Sequence, residues 1–170
     1  MIKPTVIDIL RTVETAITTT VKPEMTTIDG KSTIATIEHL LRHISLRITD
    51  EGQILTDDIN RLRPLCADIL AWVETHVSAA DCVDEMTKAL NKQYREPGVY
   101  ANLLSLSEEA GELRRALISG LEQLQEMRSA YGSEDAYQQL RQRIKDYSAY
   151  QIKDEGKLID PAYLGKGPRR

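Results

Sequence analysis

The chain has no phenylalanine, one tryptophan and two cysteines. Each scarcity excludes something. With seven tyrosines as the only other aromatics, the core must be built from Leu, Ile, Val, Ala and Met, which suits helix–helix packing. Two cysteines, Cys66 and Cys82, outside any CxxC pair fit a reducing, cytoplasmic setting better than a disulfide framework. No apolar run approaches the roughly 18 residues of a membrane span, and the first 25 residues hold no long apolar stretch of the secretory kind, so neither membrane insertion nor secretion is expected. Basic charge is also short. The net charge is −4, and only the end of the chain, GKGPRR, leans basic, which is too little to neutralise many phosphates. Nucleic acid is therefore not an expected partner.

What is present is amphipathic helix. The 170 residues are 41% apolar and 28% charged, the balance of one globular domain. Val6, Ile9, Leu10, Val13, Ala16, Ile17 and Val21 recur at three- and four-residue spacing and predict a first helix from Lys3 to Val21, leaving at Pro23. A second helix is expected over Lys31–Asp50, capped by Asp29 or Ser32, with Ile34, Ile37, Leu40, Leu41, Ile44 and Ile48 as its stripe and Gly52 as its end. Ile54 and Leu55 then fall in a connection. A third helix starts at a Thr56 cap with Asp57 and Asp58 in its first turn, and Pro64 kinks or divides it. A fourth runs from Asp81 to Arg95, before a turn at Pro97–Gly98. A fifth, the longest, spans Tyr100–Tyr131, and a sixth follows Gly132 and Ser133. From Gln151 onward the pattern fails, which predicts an irregular tail.

The expected fold is all-α: an antiparallel up-and-down bundle of about six helices with that tail. The expected division is a three-helix unit over 1–78, a long-helix extension over 81–150 and a tail over 151–170. Charge divides similarly, with 9 basic against 14 acidic residues up to position 90 and 13 against 12 after it.

Three patterns bear on function. His39 and His43 stand four apart on the second helix, a spacing that lets two imidazoles share one metal, with Asp50 on the same side and His76 near the end of the third helix. Three histidines would suit zinc or another divalent ion. Helical bundles of the damage-inducible and thiol-dependent transferase type, which this chain resembles in length, also combine an HxxxH pair with a lone histidine. There the lone residue precedes the pair; here it follows. The second pattern is EEAGELRRAL (108–117), which resembles the first acidic motif of the all-α nucleoside triphosphate pyrophosphatases. The resemblance implies Mg²⁺ on Glu109 and Glu112. It also demands an ExxD pair on the next helix, and none is present: Glu122 is followed at +3 by Gln125, Glu126 by Ser129 and Glu134 by Tyr137. The bland alternative is an acidic helix start paired to Arg114 and Arg115.

The third pattern is broader. PTVIDILRTVETAI, and the stretch from Thr33 to Leu70 with Arg47, Glu51, Gly52, Asp57, Asp58, Leu62 and Arg63, are similar to small bacterial all-helical proteins of unknown function. Those proteins are encoded beside aminoglycoside-phosphotransferase-like and acyl-CoA dehydrogenase genes. The resemblance supplies no catalytic residue and implies an accessory or partner-binding role. Arg42, Arg47, Arg61 and Arg63 also form a candidate anion cluster near the end of the second helix. With no nucleophile motif or phosphate loop, the residues favour a non-enzymatic accessory or protein-interaction module. Its partner would be another protein or, through a leftover apolar helix face, a second copy. The two enzyme readings stand as alternatives: a metal-dependent bundle using His39, His43 and His76, and a Mg²⁺-dependent hydrolase using Glu109 and Glu112.

Overall fold

The computed structural model describes residues 3–77, 81–92, 94 and 101–163, and every regular element among them is helical. Six helices are eleven residues or longer: α1 (Val6–Ala16), α2 (Ile28–Leu46), α3 (Gly52–His76), α4 (Asp81–Asn91), α5 (Leu103–Glu126) and α6 (Asp135–Tyr163). The all-α, up-and-down expectation holds. The chain divides into two compact units, Met1–Glu51 with the segment from Glu155, and Gly52–Asp154.

The grouping differs from the expected break at residue 78, because α3 belongs with α4, α5 and α6. The reason lies in burial. The α3 stripe of Ile59, Leu62, Cys66, Ile69 and Val73 is almost fully enclosed, as are Leu113 and Leu124 of α5 and Met86 of α4. These residues form one core with Tyr137, Leu140, Ile144 and Tyr147 of α6. Side-chain pairs give the directions. Cys66 lies against Leu113 and Ile69 against Gly120, so α3 and α5 run parallel. Trp72 meets Tyr137 and Arg143 pairs with Asp68, so α6 runs against α3. Lys92 reaches Glu108 while Met86 abuts Gly120, so α4 runs against α5.

Several expected boundaries move. Gly52 opens α3 rather than ending α2, and the Thr56 hydroxyl donates to the Gly52 carbonyl at 2.8 Å from inside the helix instead of capping it. Ile54 and Leu55 are helical, and Leu55 packs on the core. Pro64 does not divide α3. It removes one backbone bond, a loss of about 3 kcal/mol in an isolated helix, but buried Leu62, Leu65 and Cys66 hold both sides of it. The cap of α2 is Thr27, whose hydroxyl accepts from the Gly30 amide, and the cap of α5 is Asn102, whose side chain accepts from Ser105. The helix expected to run unbroken to Tyr131 turns at Met127, and Arg128–Tyr131 is a separate short turn. α6 continues past Gln151 to Tyr163. Its three-and-four rhythm through Leu140, Ile144 and Tyr147 goes on to buried Asp154 and Leu158; Gly156 and Pro161 make the pattern look broken. Arg95, Pro97–Gly98, Tyr100 and the last residues from Leu164, including Gly165, Gly167 and Pro168, lie outside the described residues.

In the first unit, α1 and α2 form an antiparallel hairpin. A Thr5–Asp8 capping box opens α1, and Lys22 pairs with Glu38 across the hairpin at 2.8 Å. Two π turns, Ile17–Val21 and Arg47–Glu51, extend α1 and α2. The first coincides with a run of three threonines, β-branched residues that resist regular helix.

Candidate functional site

His39 and His43 face each other on α2, with their Nε2 atoms 3.1 Å apart and their rings edge-on. Both are half-buried. The His43 pKa lies below the ordinary value, through burial first and then the charges of His39, Arg47 and Arg42. Neutral imidazoles are the metal-binding form, and two nitrogens on one tetrahedral zinc lie about 3.3 Å apart given Zn–N bonds near 2.0–2.1 Å. The observed separation also suits a single imidazole–imidazole hydrogen bond. His76 belongs to the other unit. Its ring stacks on Trp72 at 4.2 Å, its Nδ1 lies 2.7 Å from the Trp72 carbonyl, and its Nε2 is 3.6 Å from Glu134. Among the described residues no three His, Cys, Asp or Glu side chains come together as a metal-holding group.

The two candidate carboxylates of α5 both stand in ion pairs. Glu109 is buried, 3% exposed, and its Oε1 accepts from Arg63 Nε at 2.8 Å and Nη2 at 2.5 Å. Arg63 also donates through Nη1 to the Leu90 carbonyl at 2.9 Å. One guanidinium thus joins α3, α4 and α5. Glu112 pairs with Arg115 at 2.8 Å and lies 3.9 Å from Lys92. A carboxylate already matched by a guanidinium offers a cation little negative charge.

Arg114 turns to Asp58, the second buried acid. Its Nε and Nη2 lie 3.0 and 2.7 Å from Asp58 Oδ2, and the Tyr147 hydroxyl donates to Oδ1 at 2.8 Å. Burial, and then the Asp58 charge, raises the Tyr147 pKa well above its usual range. α3 therefore gives an acid and a base five residues apart, and α5 answers with a base and an acid at the same spacing. Sequence reading placed Asp58 in a helix first turn; nothing local announces a partner 56 positions away. The candidate arginine cluster does not assemble in the second unit: Arg61 lies over the Tyr150 ring at 3.3 Å and Arg63 is held as above. Arg47 pairs with Glu51 at 2.5 Å, as their spacing predicts.

The least expected surface is on the α1–α2 hairpin. Its first stripe was expected to be core, yet α1 buries no residue and α2 buries only Ile34. Only Ile7, Leu10, Glu14 and Ile17 of α1 reach half-burial, and they mark the edge that meets α2. Val6, Ile9 and Val13 sit about 90° to one side of that edge at 100° per residue. On α2, Leu40, Ile44 and Ile48 sit about 80° to one side of the Ile34–Leu41–Ser45 edge that meets α1. Because the helices are antiparallel, both rotations lead to the same side of the hairpin. The six side chains are 41–57% exposed, and Ala16, Thr20, Thr33 and Ile37 among them carry no charge, while Arg47 and Glu51, paired with each other, stand on the border. The other side is polar. There Ile7, Arg11, Glu14, Arg42, Ser45 and Asp50 line a groove, and the hydroxyls of Thr12, Thr15 and Thr19 donate to carbonyls four residues back.

No helix among the described residues is long and apolar enough to cross a membrane. Comparison with known protein families, with curated proteins and with solved structures finds no match to this chain.

Proposed function

We propose that this chain is a non-enzymatic accessory module that works by protein–protein contact through the α1–α2 hairpin. The observation that supports this is the continuous apolar side of the hairpin, left in solvent while the second unit encloses its own apolar stripes. Contiguous exposed apolar surface of this kind marks interaction sites. The test is binding of the dye 8-anilinonaphthalene sulfonate by the dilute, native chain. Val13→Glu and Ile44→Glu should abolish the signal without changing helical content. Equal dye binding by wild type and both variants would remove the reading.

A second reading rests on the His39–His43 geometry: a transition-metal site on α2 with both Nε2 atoms as ligands. Zn²⁺ or Ni²⁺ should raise the melting temperature of the wild type and leave His43→Ala unmoved. No shift in the wild type disposes of it.

A further inference from the structure

Resting on the interaction reading, we infer that the occupant of the hairpin's apolar side is a second copy of the same hairpin, forming a two-fold symmetric four-helix dimer. An antiparallel pair of helices with one apolar side is half of such a bundle, and a two-fold axis through that side brings Val6, Ile9, Val13, Leu40, Ile44 and Ile48 against the same six residues. The charge pattern permits it. The six apolar positions are uncharged, and the charges on their border, Arg47 and Glu51, pair with each other, so self-apposition brings no unbalanced like charges together.

The area is sufficient. At their observed exposure the six side chains present about 500 Å² per protomer, or about 1,000 Å² for the pair before flanking residues are counted, which reaches the size of a specific interface. In the second unit the exposed large apolar side chains among the described residues are Leu103, Leu104, Ile118 and Ile152, spread along two helices rather than gathered into a stripe.

Sedimentation of the full chain over a micromolar concentration series tests the dimer. Wild type should be dimeric, with Val13→Glu and Ile44→Glu weakening association at least about 100-fold, as central apolar positions do. Thr15→Glu, on the polar side, should leave it unchanged. A dimer that survives both face substitutions uses another surface and overturns the inference. A strictly monomeric wild type also overturns it, and a Val13→Cys variant then separates the two readings. Cys66 and Cys82 are buried, so thiol labelling under native conditions reports position 13. Rapid labelling of a monomer leaves the hairpin open to a different protein. Slow labelling of a monomer means the chain covers its own hairpin, and both readings fall. In the dimer, labelling should slow about tenfold as concentration rises.

Discussion

Arg63→Met is the sharpest test of how the second unit is held. The substitution keeps the length and apolar stem of the side chain and removes the guanidinium. Three hydrogen bonds go with it, two to Glu109 Oε1 and one to the Leu90 carbonyl. Glu109 stays behind, 4% exposed at its side chain, with the Arg63 guanidinium gone from Oε1. Breaking a fully buried pair from one side destabilises by about 3–5 kcal/mol, and with the Arg63 side chain 35% exposed the expected loss here is about 2 kcal/mol. Against a domain stability of about 5–15 kcal/mol this is a large fraction. The assay is urea unfolding at constant pH, with an unchanged m value confirming the same two end states. Arg63→Met/Glu109→Leu removes both charges and should recover more than half of the loss. A loss below about 1 kcal/mol in the single variant, or no recovery in the double variant, would show that the pair is effectively solvated and the argument wrong.

Glycine replacements should separate by site. Gly120→Ala places a Cβ 2.9 Å from Ile69 Cγ2 and 3.0 Å from Met86 Sδ, both in the core, whereas a Cβ at Gly111 meets nothing within 4 Å. Overpacking should outweigh helix propensity at Gly120, for a net loss of about 1 kcal/mol, while Gly111→Ala gains about 0.5–1 kcal/mol; opposite signs in thermal melts are the readout. Cys66 is buried, its thiol donates to the Leu113 carbonyl at 3.6 Å, and burial pushes its pKa up to about 12. It should resist alkylation at pH 8 until the second unit unfolds. Because the folded pKa is the higher one, the Cys66 contribution is complete below about pH 9 and drains away as pH climbs toward 12. Tyr147 is raised in the same sense, so Tyr147→Phe should flatten the alkaline unfolding curve and, at neutral pH, weaken the fold by about 1 kcal/mol for one lost hydrogen bond.

The helices were legible because apolar spacing records which side of a helix is turned inward, and most of the apolar stripes of α3 and α5 are buried. The misreadings have physical causes. Asp58, Glu109 and Asp154 are buried acids, and a pattern of apolar residues treats every carboxylate as solvated. Gly156 and Pro161 made α6 look finished at Gln151, yet the helix runs through both to Tyr163. Asp58 looked like a dipole-favoured first-turn acid, and neither its ion pair nor that of Glu109 could be read locally, because the partners lie 56 and 46 positions away. The reverse error occurred in α1, whose stripe has the right period but no core to enter. Spacing shows that a face is apolar and not what covers it. The histidine pair was visible at its spacing; that the two Nε2 atoms meet depends on rotamers that spacing does not carry.

The placement of the aromatic residues gives the protein two separable optical signals. Residues 1–51 contain no tryptophan, tyrosine or phenylalanine, while Trp72 stands within the second unit, stacked on His76 and edge-on to Tyr131. Emission from that single indole follows one unit only, whereas far-ultraviolet ellipticity sums over all six helices. Superimposable melts from the two probes would mean that the hairpin and the bundle unfold as one cooperative system. A dichroic transition that precedes the loss of fluorescence would mean that the hairpin melts alone, and that its stability is a property that dilution can change without touching the bundle.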